Sequence, residues 1–397
     1  MTFDSTVSAQ VRHDSPASVR NWLAVAAVAT ATFAMVTVEA MPVGLLTPLG
    51  HTFGVSAGAV ALTVTLPGLV ASVAAPVLPI AIGQLDRRLV LLGLLGLMLA
   101  ATVVSASAPD FGILLAARAV VGVAIGGFWA LAASCAIRLV PPHHIPRATS
   151  LAFGGATVAN VLGVPAATLI GNSSSWRVAF LVVAGFGAVV TVALGALLPR
   201  LPAETAVSLR ELLRQLRIPA VRAGVIATFL LVGAHWAAFT FIRPALQDLS
   251  GLSGAAIGPA QLGFGVAGVL GTFVGGSAAA RDPRRALVWA ATLLTAALAL
   301  FRIVGTTPVG GIAILLVWGV AFGAIPVGVQ SWILRAAPGN AEAATALNTS
   351  LYNLAVALGA LIGGIVVDAT SVSGVLIAGA AFAAAAVAAV MLGGRSR

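Results

Sequence analysis

The chain has 397 residues, 60% of them hydrophobic and only 8% charged, with a mean hydropathy of +1.08. Soluble domains carry about a quarter charged residues, so this chain cannot cover its own surface in water, and a soluble enzyme or a nucleic-acid binder is excluded. All 21 basic residues are arginine, which removes both the lysine of a Walker-A phosphate loop and lysine Schiff-base chemistry.

A membrane-crossing helix needs about 20 predominantly apolar residues. After a tail over 1–21, apolar runs broken by charge, Pro or Gly clusters predict spans at 22–46, 58–82, 89–108, 111–136, 148–170 and 176–198. A polar connection, 199–221, separates these from spans at 222–245, 256–279, 286–304, 309–334, 342–367 and 372–393, followed by a tail over 394–397. The first span is too long for the apolar core of a cleaved signal peptide and reads as a signal anchor. The expectation is an all-α membrane protein with two six-helix bundles, 22–198 and 222–393, joined by a cytoplasmic linker.

Arginine placement sets the orientation. With the N-terminal tail inside, 17 arginines fall in inner segments and only Arg177, Arg243 and Arg302 in outer ones, while Arg118 lies within a span. This positive-inside bias places both termini in the cytoplasm. The net charge of +10 then reads as an orientation signal and as contacts for anionic lipid head groups, because it is spread over seven short segments instead of one patch. Cys135, the single cysteine, lies within a span and has no intrachain disulfide partner.

The two halves repeat. Sliding the first onto the second by 196 or 197 positions brings Gly122-Val123-Ala124 onto Gly319-Val320-Ala321 and Asp86 and Arg88 onto Asp282 and Arg284. The same shift brings Arg138 and Pro141 onto Arg335 and Pro338, and Pro48 onto Pro244. Two related six-helix halves are the sequence mark of a transporter that rocks them about a midplane site.

The loop Gly83-Gln84-Leu85-Asp86-Arg87-Arg88 and the run Leu114-Leu115-Ala116-Ala117-Arg118-Ala119-Val120-Val121-Gly122 resemble the 2–3 loop signature and the span-4 motif of the major facilitator superfamily. The whole chain is similar to its drug/proton-antiporter branch. Within that branch the resemblance is nearest to the bacterial purine ribonucleoside efflux pumps. It is carried by Val38-Glu39-Ala40-Met41-Pro42, Gly126-Gly127-Phe128-Trp129-Ala130, Phe241-Ile242-Arg243-Pro244 and Ile325-Pro326-Val327-Gly328. Branches that export sugars or amphenicol antibiotics share much of this pattern. Span 5 departs from the antiporter signature, which expects a dense Gly-Pro cluster, and keeps only Gly163-Val164-Pro165 and Gly171.

Few strongly polar groups fall inside the spans, and a charge at a helix centre costs about 2.5–3.5 kcal/mol. Glu39 lies roughly 26 Å along its span at the helical rise, and Arg118 lies in the outer half of span 4. The resemblance implies that spans 1 and 4 meet along a central cavity. Glu39 is the candidate proton carrier, since burial favours a neutral carboxyl and a guanidinium an ionised one. The alternative is that it merely ties helices together, and Arg118 is as readily structural as functional. His235, which coincides with Glu39 under the shift of 196, is a second proton or substrate candidate or else a satisfied core histidine. Asn160, Gln330, Asn348 and Asn353 are candidate hydrogen-bonding contacts, and Phe128, Trp129, Trp236 and Phe239 candidate stacking contacts, although amides also join helices and aromatics also face lipid. Gly83, Asp86, Arg87, Arg88, Asp282 and Arg284 are read as an acid–base latch closing the cytoplasmic side. His143 and His144 are adjacent, the wrong spacing for a metal pair, and are expected to be solvated.

The sequence therefore predicts a proton-coupled inner-membrane exporter of a small planar or polyhydroxylated solute, working as a monomer among membrane lipids, without metal, cofactor or nucleic acid. A purine ribonucleoside is the first candidate solute. Sugar or amphenicol efflux is the alternative within the class, and a non-transporting membrane sensor or scaffold the alternative outside it.

Overall fold

A computed structural model describes residues 18–141, 144–202, 209–338 and 341–393. The described residues form α-helices with no strand. The first half contains α1 Val19–Gly44, α2 Leu46–Phe53, α3 Ala57–Ala81, α4 Arg87–Ser107, α5 Phe111–Ile137, α6 Ile145–Ser173 and α7 Trp176–Leu197. A connecting helix, α8 Leu209–Gln215, precedes α9 Pro219–Phe239, α10 Ile242–Pro244, a π-helical turn Ala245–Leu249, α11 Gly254–Arg281, α12 Pro283–Val304, α13 Pro308–Ala336, α14 Ala341–Ala369 and α15 Val372–Gly393. Twelve of these are long and apolar enough to cross a membrane, and each overlaps a predicted span.

Local chemistry explains the ends. Ser18, Asp86, Ser175, Asp282 and Thr307 cap α1, α4, α7, α12 and α13 with side-chain oxygens. Pro219, Pro283 and Pro308 open α9, α12 and α13, where their missing N–H costs nothing. Predicted span 7 is corrected. Pro244 has no N–H to offer the Thr240 carbonyl one turn back, and the helix ends at Phe239, giving way to α10 and the π turn. The short helices α2 and α8, eight and seven residues long, lack the length that marks a span.

One hydrophobic cluster is built mainly from α1 and α3–α7, and a second mainly from α9 and α11–α15. Between them the principal packed pairs are α3 with α14 and α6 with α11. Under the internal repeat α3 corresponds to α11 and α6 to α14, so the two pairings exchange roles. Close approach needs glycine: a Cβ on Gly265 of α11 would collide with the Val161 main chain of α6, and one on Gly58 of α3 with Asp368 and Gly364 of α14.

The chain enters α1 and leaves α15 at the same end of the bundle, here the terminal end. A set of side-chain hydrogen bonds joins the two halves toward the opposite, far end. Arg243 donates to the Gly44 carbonyl at 2.8 Å and to Asn172 Oδ1 at 2.9 Å. Asn172 Nδ2 donates to the Gly254 carbonyl at 2.7 Å. Thr168 donates to Gln261 at 2.8 Å and Thr47 to Gln247 at 3.4 Å. The Asp368 carboxylate accepts from Ser56 Oγ at 2.6 Å and from the Gly58 N–H at 3.0 Å, capping α3 from across the interface. The halves are thus bolted at the far end.

If these bonds hold the far end shut, Arg243→Ala combined with Asp368→Ala will lengthen the distance between spin labels attached in H51C and T306C, two exposed far-end positions in different halves. An unchanged distance distribution by electron–electron resonance would remove the bolt.

Candidate transport site

A cavity of about 370 Å³ lies between the halves, within the range that holds a drug-sized or nucleoside-sized ligand. Its first-half wall includes Glu39, Trp129, Thr157 and Asn160, and its second-half wall includes His235, Trp236, Phe239, Phe264, Phe322, Gln330, Asn348, Tyr352 and Asn353. Among the described residues, Glu39 is the only Asp, Glu or Arg that lines it. The charge therefore comes from one half and most of the aromatic and amide surface from the other.

Arg118 is fully buried and reaches three main-chain carbonyls: Nε donates to Thr63 at 2.9 Å, Nη1 to Val38 at 2.8 Å and Nη2 to Glu39 at 3.0 Å. Two of these carbonyls are vacant for a reason readable in the sequence. Pro42 lies four residues after Val38 in α1, and Pro67 four residues after Thr63 in α3, so neither supplies the helical N–H. The guanidinium fork fills both gaps and joins α1, α3 and α5. Its relation to Glu39 is through the main chain: among the described residues the Glu39 side chain makes no ion pair or hydrogen bond, and it faces the cavity half-buried.

His235 is 2% exposed. Its Nδ1 accepts from Trp318 Nε1 at 3.1 Å, and its ring stacks on Phe322 at 3.4 Å and Phe239 at 4.8 Å between centroids. The second-half amides are anchored at one end. Asn348 Oδ1 accepts from Thr228 at 2.7 Å, Gln330 Nε2 donates to Thr345 at 3.0 Å, and Asn353 Nδ2 donates to the Thr349 carbonyl at 3.0 Å.

Seven of the eight predicted substrate contacts line this cavity. Phe128 does not: it is fully buried in the core of the first half, because successive residues on a helix point about 100° apart and Trp129 takes the cavity face. The residues of the predicted latch are held locally in this conformation, with Asp282 also paired to Arg285 at 3.3 Å. Asp86 accepts from the Arg88 N–H at 2.8 Å and the Leu201 N–H at 3.1 Å, and Asp282 from the Arg284 and Arg285 N–H groups at 2.9 and 3.1 Å. Arg87 reaches the Gly83 carbonyl, Arg88 that of Gly195 and Arg284 that of Met391. The carboxylates cap helices, each arginine binds main chain of its own half, and Gly83 supplies the left-handed turn at φ +50°. His144, expected to be solvated, is half-buried against Trp22 at 5.5 Å between ring centroids; His143 lies outside the described residues.

The sequence reading missed Phe264, Phe322, Trp318 and Tyr352. The signals were present as His235–Phe239 and Trp318–Phe322, two aromatic pairs at i, i+4 spacing, and as Tyr352, the only tyrosine in the chain.

Replacing Arg118 by Lys leaves a single ammonium to serve carbonyls on two helices. Each unpaired buried group costs about 1–3 kcal/mol, so R118K should lower the melting temperature of the detergent-solubilised protein clearly, and R118A more. The buried sole cysteine, Cys135, permits the measurement with a thiol-reactive dye. Unaltered melting in both variants would refute the scaffold role.

The pattern of the Major Facilitator Superfamily matches residues 28–360. The chain is 34% identical over 348 residues to the purine ribonucleoside efflux pump NepI of Escherichia coli O6:K15:H31, covering 88% of each chain. It is equally similar to the pump of the same name from Salmonella typhimurium. Among solved structures, a bacterial homolog of the human lysosomal transporter Spinster superposes with a TM-score of 0.78 at 15% identity, covering 95% of this chain and 97% of the other. A variant of the nucleoside transporter NupG superposes with a TM-score of 0.76 at 14% identity, covering 94% and 99%. Twelve membrane-length helices, a cavity between two helical halves and these matches lead to one conclusion: the chain is a multi-pass membrane protein, a transporter and not an enzyme, and belongs to the major facilitator superfamily.

Proposed function

We propose that this transporter exports purine ribonucleosides from the cytoplasm across a bacterial inner membrane in exchange for protons. The observation that carries the reading is the division of the cavity, with Glu39 on one wall facing a wall of aromatic rings and half-used amides on the other. Aromatic faces suit a flat base and the free amide ends suit ribose hydroxyls. The relatives named as purine ribonucleoside efflux pumps support the solute class.

Arginine bias assigns the terminal end to the cytoplasm, so the far-end bolts close the outside in this conformation. Glu39 holds the proton. The neighbouring Arg118 guanidinium favours its ionised form and withdrawal from water favours its neutral form, so a change of wetting between two states loads and unloads it. In the opposite state, the helix-capping Asp86 and Asp282 loops, with Gly83, Arg87, Arg88 and Arg284, close the cytoplasmic end. The protein acts as a monomer, with its inner arginines against anionic lipid.

Inverted vesicles should accumulate labelled inosine, adenosine or guanosine under an inward-acid gradient, and a protonophore should abolish the accumulation. E39Q should lose accumulation while retaining downhill nucleoside exchange. Uptake of sugars or chloramphenicol in place of nucleosides would move the reading to another branch, and protonophore-resistant accumulation would overturn proton coupling.

A further inference from the structure

His235 was a proton or substrate candidate by sequence, and its surroundings fit the second of these tasks. Indole Nε1 is a donor with no accepting role. The Trp318 Nε1–H bond to His235 Nδ1 at 3.1 Å therefore requires that Nδ1 be bare, which in a neutral imidazole puts the proton on Nε2. A second proton would set the Nδ1–H against the indole N–H, donor facing donor. The face-on Phe322 ring, at 3.4 Å and 9°, would tolerate a cation, but it supplies no acceptor for the displaced Nδ1–H. No acid faces the ring from its packed neighbours: Trp236, Phe239, Phe264, Trp318 and Phe322 surround it. Among the described residues, Glu39 across the cavity and the Tyr352 hydroxyl are the other titratable groups on the shared wall.

We propose that His235 is a specificity-determining residue, locked by Trp318 as the Nε2–H tautomer, which donates to a ring-edge acceptor of a flat heteroaromatic solute and does not carry the transported proton. Trp318 is the positioning residue. It is itself fully buried in α13, lies behind the cavity wall, and packs edge-on against Phe239 and Phe264 as well as bonding His235. Phe239, Phe264 and Phe322 hold the imidazole plane, so the donor direction is fixed before the solute arrives. This rests on the heteroaromatic solute proposed above.

The test uses the full-length transporter in lipid nanodiscs and in inverted vesicles. Nitrogen-15 histidine spectra should show one residue, missing in H235F, that keeps a bare Nδ1 and a protonated Nε2 from about pH 6 to about pH 8, the range in which an ordinary histidine titrates. H235F should raise the KM for inosine about three- to tenfold, the worth of one neutral hydrogen bond, while proton-driven accumulation survives at saturating inosine. W318F frees Nδ1, so the same resonance should begin to titrate and the inosine KM should become pH-dependent. A titrating His235 in the unaltered protein, or loss of proton-driven accumulation with unchanged KM in H235F, would overturn the proposal. If the unaltered protein transports no purine nucleoside, the solute reading fails while the tautomer measurement still decides whether His235 is locked. Should H235F fail to fold, W318F and the spectra carry the decision.

Discussion

The first half of this transporter depends on a guanidinium that completes two interrupted helices. Proline at positions 42 and 67 deprives the Val38 and Thr63 carbonyls of their helical donors, and the branched donor set of Arg118 restores both. A carbonyl left bare in an apolar interior carries a heavy desolvation cost, as does an arginine without partners. Neither defect is tolerable alone, and each satisfies the other. The consequence for chemistry is that Arg118 is held by main chain, which leaves the Glu39 carboxyl side-chain-unpaired at the cavity while keeping a positive charge on its own peptide group.

A related arrangement recurs at the interface. Gly44 precedes Pro48 by four residues, so its carbonyl also lacks the donor a continued helix would give, and Arg243 from the other half supplies one. Where Arg118 makes a permanent joint within a half, Arg243 makes a joint between halves, together with Asn172, Asp368 and Gln261. Bonds of the second kind must break for a cavity to change the side on which it opens. Those of Arg243 and Asp368 are charge-assisted, each worth about 1.5–3 kcal/mol, a scale that a protein exchanging two conformations of similar free energy can make and break.

Much of this was legible in the sequence. Apolar run length gave twelve spans because the bilayer sets helix length so tightly, and scarcity of charge drew attention to Glu39 and Arg118. Short elements escaped because α2 and α8 carry no length signal. Residue facing was harder. Phe128 and Trp129 are neighbours of similar chemistry, and a nearly uniform apolar helix offers no polar face to tell which one looks into a cavity. Hydrogen-bond direction was out of reach for the same reason. That Arg118 binds carbonyls instead of the Glu39 carboxyl depends on which peptide groups prolines have vacated, and the spacing of four from Pro42 to Val38 and from Pro67 to Thr63 was the available clue.

The proline-vacated carbonyls also bear on how the chain assembles. Helices α1 and α3 leave the insertion machinery before α5, so their bare carbonyls must wait in the membrane, or in its insertion channel, until Arg118 emerges. Arg118 in turn enters the bilayer as a charge whose acceptors are already present. The first half is therefore joined by a three-helix event that completes when the fourth span arrives, giving newly made chains a physical check of correct order: a helix inserted in the wrong register leaves both an orphan cation and two orphan dipoles in lipid.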